Sequence, residues 1–397
     1  MIPMLLIPSL LSKNRRTTDS RGAAKSAEFF FPLMPRRAAC ALIASSLLPA
    51  AAPPPKDSVD VFTSGQDGYH TYRIPAIVQT RKGTLLAFCE GRKSGQGDAG
   101  NIDLLLKRST DRGRTWSQII LIADFGSDTV GNPAPVVDRR TGTIWLLHTS
   151  NPGDVPEKQI EAGLTGPTRT VWVTHSKDDG LTWAKSVDIT ASVKKPEWTW
   201  YATGPVNGIQ LRSGRMVIPS DHNRGDATER YSHVIYSDDS GKTWKLGGSA
   251  GPHCNESTIV ELRDGSLMLN MRSYHGKNRR AVSISKDGGL TFSEPVLDDA
   301  LIEPVCQASL LRVGEGKSSV LLFANPAGTK RVNMTVRLSR DDGKTWIHSK
   351  SLHPGPSAYS NLIAITPKLI GLLYEKGESS PYERITFDRF GLDWLTQ

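Results

Sequence analysis

Beyond residue 56 the apolar positions of this chain fall into short runs, each closed by a polar turn. Residues 104–106, 234–236 and 282–284 are three such runs. Runs of this kind bounded by turn-forming residues read as β-strands. The same reading covers residues 59–63, 84–89, 267–271, 362–366, 370–375 and 385–390. Little helix is expected, and the fold class is all-β. Past the N-terminal segment, no stretch approaches the ~18 consecutive apolar residues of a membrane-crossing helix.

One phrase, Ser-x-Asp-x-Gly-x-Thr-aromatic, closes many of these runs and is written five times. Its aspartates are Asp111, Asp178, Asp239, Asp287 and Asp341, and its aromatic residues are Trp116, Trp183, Trp244, Phe292 and Trp346. The phrase has the physics of a tight hairpin turn. The aspartate accepts from nearby backbone N–H groups, the glycine supplies positive φ, and the aromatic ring folds back to fill space between sheets. It is a motif that holds a fold and needs no chemistry of its own.

The aspartates are 67, 61, 48 and 54 residues apart (111, 178, 239, 287 and 341 subtracted in turn). That suits a four-stranded unit with loops, slightly longer than the ~40–45 residues of the tightest propeller repeats. A β-propeller closes a ring of short sheets and leaves few edges exposed. About 345 residues at about 58 per blade predict a six-bladed β-propeller, with the strand at 59–63 completing the last blade as a clasp.

Residues 1–56 stand outside this array as an N-terminal leader. Met34, the pair Arg36 and Arg37, the apolar run 38–48 and the small residues at 50–52 form the parts of a secretory signal over 34–52. Residues 53–56 read as a Pro-rich linker, and 57–397 as the propeller domain. Export to the periplasm or medium is expected, with no integral span in the mature protein. The formal charge of +9 includes seven Lys or Arg and two Asp or Glu in residues 1–50, so about +4 belongs to the rest. That mild balance argues against a nucleic-acid partner. Cys89, Cys254 and Cys306 imply no disulfide framework, and no Cys/His cluster has metal-ligand spacing. Neither a metal nor an organic cofactor is expected.

Several further motifs follow one another in order: Tyr72-Arg73-Ile74-Pro75, Asn255-Glu256, Asn270-Met271-Arg272-Ser273, Arg337 two residues before the fifth turn phrase, and Ala358-Tyr359-Ser360. With the repeated Asp-box, these resemble the exo-α-sialidases, the neuraminidase family of six-bladed Asp-box propellers, over residues 57–397. The segment Gly204-Pro205-Val206-Asn207-Gly208 departs from that pattern, since relatives often carry Gly-His before the last glycine. The departure bears on substrate contacts at that rim.

The resemblance implies an exo-α-sialidase acting on sialylated glycans of glycoproteins, glycolipids and oligosaccharides. Arg73, Arg272 and Arg337 would grip the substrate carboxylate through charge-assisted, bidentate hydrogen bonds that lysine cannot reproduce. Glu375 would orient Arg73. Tyr359 would be the nucleophile with Glu256 as its base, Asp98 the acid and then the base, and Arg92 a further substrate contact. Sialidases depart from the two-carboxylate scheme of glycoside hydrolysis in using a tyrosine, since a carboxylate would be repelled by the anionic substrate. A non-catalytic sialic-acid-binding propeller and a transglycosylating variant are the alternatives. The first has no use for a nucleophile pair, and the second would carry the same residues.

Overall fold

The computed structural model describes residues 57–164, 169–225 and 228–397. The signal and linker expectations for 1–56 lie outside the described residues. Helix within them is confined to short segments such as Glu157–Glu161 and Thr190–Val193. None is long and apolar enough to cross a membrane.

The strands pair antiparallel in six successive units. The first holds Thr71–Gln79, Leu85–Arg92, Ile102–Ser109 and Ile120–Ala123; the second Thr129–Val137, Ile144–Asn151, Thr170–Ser176 and Val187–Asp188. In the third, Tyr201–Thr203 and Ile209–Gln210 share the inner position beside Met216–Asn223, Arg230–Ser237 and Lys245–Ala250. The fourth is Cys254–Glu261, Leu267–Ser273, Arg279–Ser285 and Val296–Ile302. The fifth is Ser309–Val313, Val320–Pro326, Val332–Ser339 and the first half of the long strand His348–Thr366. The second half of that strand opens the sixth unit, with Leu369–Lys376 and Arg384–Gly391. The expected clasp is present, since Asp57–Thr63 pairs with Arg384–Gly391 and completes the sixth unit. Tyr359, read from sequence as preceding a strand, lies inside the long one, because the chain passes from one unit to the next without a turn.

The apolar runs are explained by burial on both strand faces. Leu85, Ala87 and Cys89 pack against Leu373, Ile385 and Phe387 of the sixth unit. The alternate residues Leu86 and Phe88 pack against Val130, Ile144 and Leu146 of the second. The period of two is intact, but both phases are apolar. Similar layers lie between each later pair of units, so the core is a series of slabs.

Each of the first five units ends its third strand on the serine of a turn phrase. In the first, Ser109 Oγ donates to Asp111 Oδ1 at 2.8 Å, and Thr115 N and Oγ1 donate to the two oxygens of Asp111 at 2.9 and 2.6 Å. Gly113 has φ +82°, and a Cβ there would meet the Phe387 ring at 2.2 Å. Trp116 sits edge-on to that ring, centroids 5.4 Å apart. Trp183 meets Phe88 and Trp244 meets Trp145 in the same manner, each reaching into the preceding unit.

Candidate active site

The turn phrases occupy one end of the units. A cavity of about 280 Å³ opens at the other end, lined by residues from all six and almost entirely by polar and charged side chains. The hairpin register dictates which residues reach it. The residues come from the starts of first strands (Arg73, Asn132, Tyr359), the ends of second strands (Arg92, Asp221, Arg272) and the approaches to third strands (Asp98, Arg169, Arg331, Tyr382).

Arg73 and Glu375 show how the register is used. Arg73 is near the start of Thr71–Gln79, where the pairing slips between Arg73 and Ala76. Ile74 in this bulge has φ +61°, a strained value for a β-branched residue. Fully buried Glu375 holds it there. Its Oε1 accepts from Arg73 Nε at 2.7 Å and Ile74 N at 2.9 Å, and its Oε2 from Tyr359 N at 3.0 Å. Burial works against the charge on Arg73, but Glu375 together with Tyr382, Tyr359 and Asp98 outweighs it and lifts the pKa above the ordinary arginine value. One carboxylate thus orients the arginine and fixes the backbone beside it and beside Tyr359.

Arg272 closes the strand Leu267–Ser273. The end of that strand is pinned by Ser273 N donating to Glu303 Oε1 at 2.7 Å, while Glu303 Oε2 takes Arg280 at 2.7 Å with both side chains fully buried. Arg272 Nη1 donates to Glu256 Oε2 at 2.7 Å and to Tyr359 Oη at 3.2 Å.

The third expected arginine, Arg337, is not in the cavity. Its Nη1 donates to Asn325 Oδ1 at 2.9 Å within its own sheet, and the cavity is lined by Arg331 instead. The reason is strand direction. Val332–Ser339 runs from the cavity toward the turn phrase, and six residues at ~3.3 Å per residue separate Arg331 from Arg337 by roughly 20 Å. Arg331 Nη1 donates to Tyr382 Oη at 2.7 Å, and its guanidinium lies 5.6 Å from the Tyr359 ring centroid. Arg73 stacks on the other aromatic of this group, 4.0 Å from the Tyr382 centroid.

Tyr359 is buried and its hydroxyl donates to Glu256 Oε1. Burial and the Glu256 charge push the phenol pKa up, outweighing Arg272 and Arg331. The phenol keeps its proton and points it at a carboxylate.

Asp98 is half-exposed in the loop between Arg92 and Ile102. Its Oδ1 pairs with Arg92 Nη1 at 2.8 Å and stands 3.8 Å from Arg73 Nη1. Enclosure raises its pKa, but Arg92 and then Arg73 outweigh that and hold it below the ordinary carboxylate value. Arg92 is itself held by Glu90 Oε2 at 2.6 Å and donates to the Gly97 carbonyl at 3.0 Å, tying the loop down. Glu90 also accepts from Asn132 N at 2.9 Å. It does for the second unit what Glu375 does for the first.

Seven of the eight residues singled out from sequence are therefore gathered here: Arg73, Arg92, Asp98, Glu256, Arg272, Tyr359 and Glu375. Besides Arg331, sequence reasoning missed Tyr382, Arg169 and Asp221. A usable signal existed for Arg331, since approaches to third strands supply cavity residues in other units as well. The neighbouring aromatics Trp198, Trp200 and Tyr201 divide. Trp198 and Tyr201 are core, with Trp198 stacked on His222 at 3.5 Å, whereas Trp200 lines the cavity. The 204–208 segment is not on the rim of this cavity. Val206 is buried, and Asn207 exchanges hydrogen bonds with Asn361, so its departure leaves the site untouched.

The BNR repeat-like domain family matches residues 83–370. A sialidase of Micromonospora viridifaciens is 35% identical over 362 residues, covering 85% of this chain and 54% of the relative. The chain thus spans about half the length of that relative. An exo-alpha-sialidase of Aspergillus fumigatus is 33% identical over 365 residues, covering 83% of this chain and 86% of its own. The solved structure of a Hadza microbial sialidase superposes with a TM-score of 0.78 at 33% identity, covering 85% of this chain and 69% of that one.

Proposed function

We propose that this chain, which belongs to the sialidase family, is an exported exo-α-sialidase built on a closed six-bladed β-propeller. It releases terminal α-linked sialic acids from glycoconjugates with retention at the anomeric carbon. The observation that carries the reading is the Tyr359–Glu256 hydrogen bond beside three convergent arginines. A binding module has no need of a buried phenol aimed at a carboxylate.

Arg73, Arg272 and Arg331 receive the substrate carboxylate, which sets the anomeric carbon over Tyr359 Oη. Glu256 takes the phenol proton as Oη attacks, the glycosidic C–O bond breaks, and Asp98 gives its proton to the departing oxygen. In the second step Asp98 takes a proton from water, the water oxygen displaces Oη, and Glu256 returns the proton to Tyr359. One water is consumed and two inversions give retention. A neutral phenol spares the anionic substrate the repulsion that a carboxylate nucleophile would bring. Binding also readies the acid. Once the substrate carboxylate neutralises Arg73, one of the charges depressing Asp98 is cancelled and its pKa rises toward the protonated form that the first step needs.

Trapping with a 3-fluorosialosyl fluoride followed by peptide mass spectrometry tests this. The expected adduct is on the peptide bearing Tyr359. Label on any other residue, or full turnover by Tyr359→Phe, overturns it.

A further inference from the structure

The chain passes from the fourth unit to the fifth through residues 303–307, between Val296–Ile302 and Ser309–Val313. This short crossing touches both sides of the candidate site. At its start, Glu303 Oε1 accepts from the N–H of Ser273, the residue after Arg272, at 2.7 Å. At its end, the Gln307 amide is bonded twice to Ser360, the residue after Tyr359. Ser360 N donates to Gln307 Oε1, and Gln307 Nε2 donates to the Ser360 carbonyl, both at 2.9 Å. Between them Cys306 packs with Ile74, Ala358 and Tyr359. One end of the crossing holds the backbone beside an arginine of the triad, and the other holds the backbone beside the phenol.

Arg280 ties the two ends together. Its Nη1 donates to Glu303 Oε2 and to the Cys306 carbonyl, each at 2.7 Å. Its Nε reaches Asn270 Oδ1 at 2.7 Å and its Nη2 the Asn270 carbonyl at 3.1 Å. Arg280 and Glu303 are both fully buried, and neither lines the cavity. Neither therefore meets substrate. Burying two ions is costly, and well-packed apolar side chains of similar volume often stabilise a fold as well or better. Apolar groups cannot, however, hold backbone on the fourth unit's second strand and on the crossing at set positions. A planar guanidinium with several fixed donors can.

We propose that Arg280 and Glu303 are positioning residues that set the spacing between Arg272 and Tyr359. The catalytic meaning of that spacing rests on the sialidase reading above. Arg272 belongs to the fourth unit and Tyr359 to the strand shared by the fifth and sixth, so nothing local to either fixes their separation. Arg272 Nη1 stands 3.2 Å from Tyr359 Oη. Arg272 helps place the anomeric carbon through the substrate carboxylate, whereas the attacking oxygen is placed by the other strand. A misplacement of ~1 Å between such groups can cost about 10²-fold in rate. Glu256 bridges the two side chains at their tips. It exchanges a proton during the reaction, however, and is no fixed spacer. The buried pair holds the two backbones instead.

The test replaces the pair by apolar side chains of similar volume, Arg280→Met together with Glu303→Leu. Expected is a folded protein whose kcat for a fluorogenic sialoside is about 10²-fold lower. Its Kd for a 2,3-unsaturated sialic acid, which needs the arginines but no attack, should rise by less than about 10-fold. Arg280→Lys keeps the charge beside Glu303 but loses the fork, so it should show the same split at smaller size. It decides the matter if the double variant does not fold. A kcat within about twofold of wild type in the folded variant overturns the proposal. So do equal losses of kcat and of analogue affinity, the mark of a general loosening. If the wild-type protein cleaves no sialoside, the parent reading falls. The crystal structure of the variant then decides this one: Arg272 Nη1 and Tyr359 Oη are expected to move out of hydrogen-bond reach, and an unchanged separation overturns it.

Discussion

Asp111 and Glu375 are carboxylates at opposite ends of the same kind of sheet, and they are satisfied in opposite ways. Asp111 finds its partners within four residues: Ser109, Arg114 and Thr115. The same set recurs around Asp287, and the Ser and Thr bonds recur in every copy of the phrase. Glu375 finds Arg73 and Ile74 about three hundred positions away and Tyr359 sixteen away. One end of the molecule is repeated and locally complete, whereas the other is unique and completed only by neighbouring units. Stability can be written redundantly, five times over. A site that needs three guanidinium groups around one anion cannot repeat itself, because each must come from a different direction.

The sharpest test of this division uses one strand. On the proposed function, Arg331→Ala, at the cavity end of Val332–Ser339, would remove a carboxylate contact, and kcat/KM for a fluorogenic sialoside should fall about 10²–10³-fold. Arg337→Ala, at the other end, should leave kcat/KM within about twofold of wild type. Comparable losses in both variants would return Arg337 to the site.

Glu375→Gln comes next. Removing the charge leaves Arg73 buried without its counter-ion, and about 3–5 kcal/mol is the usual scale for such a break. Because Glu375 positions Arg73 and does not touch the reacting carbon, KM should rise more than kcat falls, and the melting temperature should drop as well. A kcat effect with unchanged KM would assign it a different role.

At the opposite end, Asp111→Ala orphans Ser109 Oγ and the N–H groups of Arg114 and Thr115. Because Arg114 and Thr115 are exposed to water while Ser109 is buried, the expected cost is about 1–2 kcal/mol. It is read by chemical denaturation, with activity per folded molecule unchanged. Lost activity at full stability would mean that the two ends are coupled.

The smallest effect is the dependence on acid. Hydrogen bonds from Thr182 hold Asp178 at about 2, and those around Asp111, Asp239 and Asp287 outweigh burial and hold them at about 2 as well. Folded pKa values below the unfolded ~3.9 mean stability that is fully present above pH ~4 and lost as pH falls toward 2. Thermal unfolding across that window should show a progressive decline, with a shallower slope in Asp111→Ala. A melting temperature flat from pH 5 to 2 would count against it.

Most of the local structure was legible in the sequence because its causes are local. The turn phrase carries its own hydrogen-bond partners and its own positive-φ glycine, and strands buried on both faces announce themselves as unbroken apolar runs. Family motifs then marked Tyr359, Glu256, Arg272 and Arg73, along with Arg337, which lies outside the cavity, and the resemblance implied Asp98. Other features depended on direction and distance. Arg331, just before the strand Val332–Ser339, and Arg337, inside it, share a side-chain type, and only the course of that strand from cavity to turn tells which lines the cavity. Arg169, Asp221 and Trp200 are scattered over some fifty positions with no motif around them. Their grouping depends on which strand ends converge, and convergence is a property of how whole units pack, which a one-dimensional pattern of polar and apolar residues does not encode.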